Sequence, residues 1–333
     1  MVTMKHSLPI LYILLMACSV AVAGRRVEMG GMDYAYAVRD GAKAAVTLKI
    51  VDDVGNVVTG ANVQVSFMFR GGKWLKGISD DKGLYSVQGR CSGEFIYDAK
   101  KAGYYPTDGD YSYPGEGNIR LAAGTLQPLK WLPYNPTNTV ILKRIKNPVP
   151  MYVRRVDIKI PVIGTQVAYD IEKDDWVAPY GKGLKSDIIV TYEAKWIDPW
   201  TGSKKITLMF GTNGFDGVQC RKADYFSSLL SEYLAPLDGY QRSISWAFER
   251  TTESKSGEFE SPKGDYYIFR VRTETDSQGR ITYANYGKIY GPIQYGNGCA
   301  NMQFLCYFNP EVNGRNLEFD PRHDLAGQRY HLP

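Results

Sequence analysis

Apolar and polar residues alternate in short segments along most of the chain, and clusters of Gly, Pro, Asn and Asp separate these segments. A period-two pattern is typical of β-strands that bury one face, and the intervening clusters are typical of turns. We therefore predict an all-β protein. The predicted strands span residues 44–51, 63–69, 84–87, 95–99, 139–145, 152–160, 187–196, 205–210, 243–249, 266–275, 281–289 and 303–308.

One segment, residues 224–234, has helical spacing instead. Its apolar positions follow an i, i+3, i+4, i+7, i+8 stripe, and Pro236 comes shortly after the last of them. We expect a single helix here that covers an open edge or end of a β-sandwich. The residues of the stripe are Phe226, Leu229, Leu230, Tyr233 and Leu234.

Two tight turns organise the first strands. Asp53-Val54-Gly55-Asn56 forms one turn, and Asp80-Asp81-Lys82-Gly83 forms the other, in which Gly83 is free to take a positive φ. With these turns, the strand patterns around them and Gly103-Tyr104 beyond, residues 52–104 resemble the carboxypeptidase regulatory-like domain, a prealbumin-like accessory module of secreted proteins. The resemblance implies an N-terminal β-sandwich and brings no reaction with it.

The length of 333 residues fits about two domains, because one domain typically takes ~150 residues. The predicted boundary is Asn147-Pro148-Val149-Pro150, since prolines hold the chain extended and supply no N–H group to a sheet. We predict a β-sandwich at residues 24–147 with an aromatic insert at 104–138, and a second, jelly-roll-like sandwich at 148–333. Residues 148–151, 176–183 and 316–321 of the second part resemble uncharacterised exported bacterial proteins, which implies no activity.

Residues 1–23 have the layout of a secretory signal peptide. A positively charged start precedes an apolar run at residues 8–17, and an Ala-x-Ala cleavage site ends at Ala23. The alternative is a bacterial lipobox at residues 15–18, in which Cys18 would carry a lipid anchor. No other run reaches the ~20 apolar residues of a transmembrane helix. We expect an exported protein, periplasmic or extracellular, or a membrane-anchored lipoprotein.

Composition and charge narrow the class of partner. Aromatic residues make up 13% of the chain, with 25 tyrosines and 34 glycines, as in proteins of many short strands and tight turns. The net charge of +5 is small and is spread over acidic and basic residues throughout the chain. Because an exported protein also rarely meets nucleic acid, we expect no nucleic-acid partner.

The cysteines beyond the predicted signal peptide are even in number. An even number in an oxidising compartment favours disulfides, and four cysteines allow three pairings. Cys299 with Cys306 would close a short loop and leave Cys91 with Cys220 to tie the two halves, whereas buried unpaired thiols are the alternative. No Cys-x-x-Cys pair occurs and the histidines beyond residue 23 are few, so neither a metal site nor a cofactor is predicted.

Two groups of aromatic residues are candidate ligand-binding sites. Tyr111, Tyr113 and Trp131 lie among prolines in the predicted insert, and a long loop of this kind is often either functional or packed against a neighbour. Trp196 and Trp200 flank a proline turn at the end of a predicted strand. If exposed, either group could stack on a glycan or contact a protein partner. If buried, the tryptophans would be core residues and the insert would seal a seam between domains.

Catalytic chemistry has little support in the sequence. A Ser or Cys triad needs a nearby base, usually His, and no Gly-x-Ser-x-Gly elbow is present. A glycosidase needs two carboxylates at a set separation, and converging acids in a pocket would favour that class. We therefore predict a non-catalytic protein that binds a glycan, a cell-surface component or a cell-envelope protein, with an envelope glycan hydrolase as the alternative. The acids available to the alternative are Glu172, Asp174, Asp175, Glu193, Glu258 and Glu260.

Overall fold

The described residues are mostly β-strands, apart from turns, loops and one helical turn at residues 37–40, and the chain divides into two compact units of residues 1–144 and 145–333. The computed structural model describes residues 37–70, 72–113, 119–120, 130–198, 200–223, 227–257, 260–262, 265–296 and 300–327. The predicted signal peptide, with Cys18, lies outside these residues. Within them, no helix is long and apolar enough to cross a membrane.

The first unit is a sandwich of two sheets. Sheet A has the order β4-β1-β8-β7, with β9 also paired to β1, and sheet B has the order β3-β2-β5-β6. The strands are β1 (Ala42–Asp52), β2 (Asn62–Phe67), β3 (Leu75–Ile78), β4 (Leu84–Cys91), β5 (Glu94–Lys100), β6 (Thr107–Ser112), β7 (Ile119–Arg120), β8 (Lys130–Trp131) and β9 (Thr137–Leu142).

The core of the first unit follows from the alternation in its strands. Val46, Leu48 and Ile50 of β1 point inward from sheet A and are fully buried, and Phe95 of β5 meets them from sheet B. The intervening position Lys49 is exposed. Burying such apolar side chains contributes about 1.5–3 kcal/mol each, which makes the pattern the main determinant of this sandwich.

The second unit contains two six-stranded sheets. Sheet C has the order β15-β18-β19-β20-β10-β21, and sheet D has the order β12-β11-β13-β14-β16-β17. The strands are β10 (Val149–Lys159), β11 (Gln166–Asp170), β12 (Asp175–Trp176), β13 (Ile188–Asp198), β14 (Thr201–Phe210), β15 (Gly217–Lys222), β16 (Ser243–Arg250), β17 (Lys255–Gly257), β18 (Asp265–Thr275), β19 (Ile281–Tyr295), β20 (Asn301–Asn309) and β21 (Phe319–Asp324).

Sheet C is buried on both faces. Its inner face packs against sheet D in one core, where Phe269 of β18 stacks on Phe210 of β14. Its outer face forms a second core with Ala235 and Leu317 from segments outside the sheets. The predicted all-β class and the predicted β-sandwiches are confirmed.

The predicted helix is wrong for the part of residues 224–234 that the structure describes. Residues 227–234 form bends and an isolated bridge, and residues 224–226 lie outside the described residues. The Leu317 N–H donates to the Tyr233 carbonyl at 2.8 Å, and Leu234 pairs with Asn316. A short helix is marginal by itself, and serine is a weak helix former, so these tertiary contacts decide the conformation. The segment still covers apolar surface, namely the outer face of sheet C.

The structure also corrects the predicted Cys91–Cys220 disulfide, because both residues carry free thiols. Cys91 is buried in the first unit, where its Sγ donates to the Glu94 carbonyl at 3.0 Å and accepts from the Gly93 N–H at 3.3 Å. Cys306 is likewise a free, buried thiol, whereas its predicted partner Cys299 lies outside the described residues.

Candidate functional site

The aromatic residues of the predicted insert are core residues of the first unit. Trp131 is fully buried, and its indole Nε1–H donates to the Cys91 carbonyl at 2.8 Å. Tyr113 is also buried, and its hydroxyl donates to the Ala45 carbonyl at 2.9 Å. The two rings stack with centroids 5.6 Å apart. Because both polar atoms already have partners inside the fold, neither residue can serve as an exposed stacking platform.

Tyr111 continues this cluster towards the surface. It lies on β6 and is partly buried, with its ring stacked on Phe95 at 5.1 Å and edge-on to Tyr113 at 5.2 Å. Edge-to-face and offset-stacked pairs at these distances stabilise a core by about 0.5–1.5 kcal/mol each. Tyr111, Tyr113 and Trp131 thus form one continuous stack within the sandwich, and their predicted role in binding a ligand stays a prediction.

The other aromatic pair is exposed. Trp196 lies two residues before the end of β13 and Trp200 directly precedes β14, and 43% and 63% of their surfaces are accessible. Ile197 between them is 84% exposed. We call these three residues, Trp196, Ile197 and Trp200, the tryptophan tip. Exposed apolar side chains that lie together are typical of an interaction surface, and these three belong to one turn of sheet D.

The conformation of the tryptophan tip is fixed by strand pairing and by hydrogen bonds within its own turn. The β13–β14 register shifts after Trp196, so that Ile197 is an additional residue and Asp198 pairs with Thr201. One carboxylate oxygen of Asp198 accepts from the N–H groups of Trp200 and Thr201, at 2.7 and 2.8 Å. These bonds, chiefly that from Trp200, lower the pKa of Asp198, so the turn stays fixed in its ionised form.

Glycine and cations complete the site. Trp196, Gly202 and Arg250 are directly opposite on β13, β14 and β16, so they share one face of sheet D. The Trp196 indole lies against Gly202, where a Cβ would approach its Cε3 to 2.4 Å. Arg250 lies 4.8 Å from the Trp200 ring and Lys204 lies 5.3 Å from the Trp196 ring. Such cation–π contacts orient indoles at a surface.

Sequence analysis missed Ile197, Gly202, Lys204 and Arg250 as members of this site. The signal that could have found them is the pairing register of β13 with β14. The predicted strand at residues 205–210 begins after Gly202, so Trp196 has no predicted partner on the neighbouring strand. With β14 beginning at Thr201, a short turn would have placed Gly202 beside Trp196.

Acids converge in the second unit, although each is already occupied. Arg272 donates to both carboxylate oxygens of Asp187, at 2.8 and 2.9 Å, and to Glu172 at 2.9 Å. Asp170 lies 3.6 Å from the same guanidinium and also accepts from the N–H groups of Leu184 and Lys185. Burial raises the pKa of Asp187, while Arg272 and a backbone N–H favour its charged form. The arrangement is an ion-pair network that closes a loop.

Three more of the candidate acids, Asp174, Asp175 and Glu260, accept hydrogen bonds within the fold, while Glu193 is exposed on β13. Asp174 accepts from the Tyr169 hydroxyl at 2.5 Å, and Asp175 accepts from the N–H groups of Trp176 and Lys182. Glu260 accepts from Gln294 at 3.1 Å, whereas Glu258 lies outside the described residues. A cavity of about 460 Å³ adjoins Asp187 and Arg272. A hydrolase needs a carboxylate that can exchange a proton with its substrate, whereas both carboxylate oxygens of Asp187 accept hydrogen bonds from Arg272.

Metal-ligating side chains do not cluster in the described part of the chain, where no group of three or more His, Cys, Asp or Glu residues is placed to hold an ion. The tryptophan tip is therefore the arrangement with the clearest binding chemistry.

No protein-family model matches this chain, and no curated protein matches it. A 3-chlorocatechol 1,2-dioxygenase from Rhodococcus opacus 1CP is 9% identical over 32% of this chain and 61% of its own, with a TM-score of 0.25. This chain thus spans about three fifths of the length of that enzyme.

Two pilins match more of the chain. A streptococcal ancillary pilin is 12% identical over 82% of this chain and 60% of its own, with a TM-score of 0.20. A mutant shaft pilin from Lactobacillus rhamnosus GG is 12% identical over 79% of this chain and 93% of its own, with a TM-score of 0.22. Similarity at this level carries over neither an activity nor a partner.

Proposed function

We propose that this chain is an exported, non-catalytic β-sandwich protein that binds a glycan of the cell envelope through the tryptophan tip. The observation that carries the proposal is the exposure of Trp196 and Trp200 at one end of sheet D, beside Arg250. Indole faces offer flat apolar surface at a low cost in side-chain entropy, and a fixed turn presents them in one geometry.

The size of the tip favours a sugar over a folded protein as its ligand. A stable protein interface buries about 800 Å² on each partner, from 20 to 30 residues. The tip offers three large apolar side chains, and the cations Lys204 and Arg250 lie against its indole rings. A patch this small matches one or two sugar rings, whose C–H faces stack on indoles while their hydroxyls contact the polar surroundings.

The hydrolase alternative has weaker support. It would require two carboxylates free to act on a substrate, and Asp187, Glu172 and Asp170 instead share Arg272. Removing Arg272 would leave Asp187 and Asp170 buried without a compensating charge, as expected for an ion pair that stabilises the fold.

The N-terminal unit is proposed to be a carboxypeptidase regulatory-like module, and the two units to be separate domains with the boundary between Asn147 and Pro148. The support is the pairing of two sheets around one core in residues 42–142. In this proposal the first unit stabilises the exported protein and the second carries the binding surface.

Export rests on the pattern of residues 1–23, and it has a direct measurement. Mass spectrometry of the protein recovered from its native envelope should find a chain that begins at Gly24, or a lipid-modified chain that begins at Cys18. Recovery of a chain with residues 1–17 intact would contradict export by either route.

A glycan-array screen tests the binding function. The wild-type chain and the variants Trp200→Ala, Trp196→Ala and Trp74→Ala would be compared, where Trp74 is a matched control, an exposed tryptophan of the first unit at 42% accessibility. We expect Trp200→Ala and Trp196→Ala each to weaken binding about tenfold, as for residues central to an interface, and Trp74→Ala to leave binding unchanged. No glycan signal for the wild-type chain, or equal binding by all four proteins, would contradict the proposal.

A further inference from the structure

A cavity of about 710 Å³ lies on the outer face of sheet A in the first unit. Its volume is in the range of small-molecule sites, about 300–1,000 Å³. The chain between β8 and β9 forms one wall, where the hydroxyl of Tyr134 donates to the Gln88 side chain on β4 at 3.3 Å. The described lining includes Asp40, Lys43, Gln88, Arg90, Lys130 and Tyr134.

Three of these lining residues are cations in a single row. Lys43 on β1 is paired with Arg90 on β4 and with Lys130 on β8. Residues paired across neighbouring strands point to the same face, and the strands are about 4.8 Å apart. We call Lys43, Arg90 and Lys130 the cation rung. Like charges directly opposite on a sheet destabilise it, so the fold retains an unfavourable arrangement at this position.

Nearby groups hold the outer members of the cation rung in place. The Arg90 Nε–H donates to the Gly41 carbonyl at 3.3 Å, and its guanidinium lies 5.4 Å from the Phe69 ring. Lys130 lies 5.2 Å from the Tyr134 ring. Positioned cations are better suited to a ligand than freely rotating ones, because less side-chain entropy is lost on binding.

The cation rung is not neutralised by the acid beside it. Asp40 is the one acidic residue in the described lining. Its carboxylate is already bound by Arg39, at 3.0 and 2.6 Å, and lies 3.7 Å from Arg70. Among the described residues, Lys43 forms no ion pair within 4.0 Å. The cavity therefore keeps a net positive charge.

We propose that this cavity is a binding site for an anionic group, a phosphate or a carboxylate, carried on a molecule of sugar size. The anion lies over Lys43 and accepts hydrogen bonds from the cation rung, and Tyr134 and Gln88 contact the rest of the ligand. Arginine and lysine recognise both groups through charge-assisted hydrogen bonds. The site is in the first unit and does not depend on the tryptophan tip.

The test is a calorimetric titration of the full chain with three probes at low ionic strength. Inorganic phosphate and galacturonate carry the two candidate anions, and glucose is the neutral control. We expect the wild-type chain to bind at least one of the two anions. If galacturonate binds, we expect glucose to bind at least tenfold more weakly. Which anion binds identifies the group. Binding of neither anion, or equal binding of glucose and galacturonate, would overturn the proposal.

Variants locate the binding. Lys43→Gln and Lys130→Gln should each weaken anion binding about tenfold, since each removes a charged hydrogen-bond donor. Lys82→Gln is the matched control, because Lys82 is an exposed lysine in a turn of the same unit and does not line the cavity. An equal loss in Lys82→Gln would show general attraction to the basic surface and would overturn the proposal.

A stability measurement separates binding from folding. Without ligand, Lys43→Gln should unfold at a higher temperature than the wild-type chain, because it relieves repulsion within the cation rung. Saturating amounts of the bound anion should raise the unfolding temperature of the wild-type chain and leave Lys43→Gln nearly unchanged. A lower unfolding temperature of ligand-free Lys43→Gln would mean that the lysine stabilises the fold, which contradicts a position kept for an anion.

Discussion

The two aromatic groups of this protein have similar composition and opposite environments. Tyr113 and Trp131 lie inside the first sandwich, and their polar atoms donate to backbone carbonyls of β1 and β4. Trp196 and Trp200 are exposed at the turn between β13 and β14, where Trp196 lies against Gly202 and Lys204, and Trp200 lies against Arg250. The comparison teaches that an aromatic residue near prolines does not by itself predict an exposed surface, because Trp131 is fully buried while Trp200 is 63% exposed.

The largest expected effect is a difference in the free energy of unfolding between a variant of the buried aromatic group and a variant of the exposed one. Trp131→Ala should lower the free energy of unfolding by about 3–5 kcal/mol, because it removes a fully buried indole and leaves a cavity. Trp200→Ala should change it by less than about 0.5 kcal/mol, as is usual for a surface substitution. Urea unfolding of both variants measures the difference. Equal losses would break the distinction between a core stack and a surface tip.

The buried ion pair of Arg272 and Asp187 allows the same comparison between a buried and an exposed position to be made for charged side chains. Arg272→Met should cost about 3–5 kcal/mol near pH 7, since it leaves Asp187 buried without its partner. Burial already raises the pKa of Asp187 above its usual 3.8, so the folded state holds this proton more tightly than the unfolded state. As pH rises above 3.8, the unfolded state loses the Asp187 proton before the folded state does, so the folded state loses stability. Removing Arg272 should raise the folded-state pKa of Asp187 further and extend this pH range upward.

The loss from Arg272→Met should therefore be smaller at pH 4 than at pH 8, because Asp187 can take up a proton in the folded variant. Urea unfolding at the two pH values checks the sign. Arg280→Met is the control, since Arg280 forms an exposed pair with Asp276 at 2.7 Å and should matter little at either pH. A loss independent of pH would show that the cost does not come from an uncompensated acid.

A smaller effect probes how the tip is built. Gly202→Ala would place a Cβ 2.4 Å from the Trp196 ring and 2.6 Å from the Lys195 carbonyl, so the hairpin must shift. We expect a loss of about 1–3 kcal/mol together with a change in tryptophan fluorescence. Gly214→Ala is the matched control, because no heavy atom lies within 4 Å of its added Cβ. Similar behaviour of the two variants would mean that Trp196 does not depend on Gly202.

The smallest effect concerns the cations of the tip. Arg250→Ala removes the guanidinium 4.8 Å from the Trp200 ring and should lower the free energy of unfolding by no more than about 0.5–1 kcal/mol. Thermal unfolding measures this term. A loss of several kcal/mol would place Arg250 in the core network instead of at the tip.

Most strands could be predicted from the sequence because alternation depends on local burial. Residues 44–51 and 266–275, for example, lie within β1 and β18 of the structure. The segment at 224–234 failed, because an apolar stripe is compatible with any conformation that covers a sheet, and the contacts of Tyr233 and Leu234 with residues near 316 decide which one forms.

The sites were harder to predict because they depend on residues far apart in the sequence. The sequence around Trp131 gives no sign that its indole N–H donates to the carbonyl of Cys91, which lies 40 residues earlier in the chain. The cation rung is similar, since Lys43, Arg90 and Lys130 come from three strands and meet only through the pairing of sheet A. Trp196 and Trp200 could be chosen as candidates because both flank one turn.

The binding role of the tryptophan tip can be tested most directly by the indole N–H signals of the six tryptophans in an NMR titration with the glycan bound most strongly on the array. The account predicts that the signals of Trp196 and Trp200 shift together, in proportion to bound glycan, while that of buried Trp131 stays fixed. Binding that leaves Trp196 and Trp200 unshifted would contradict it.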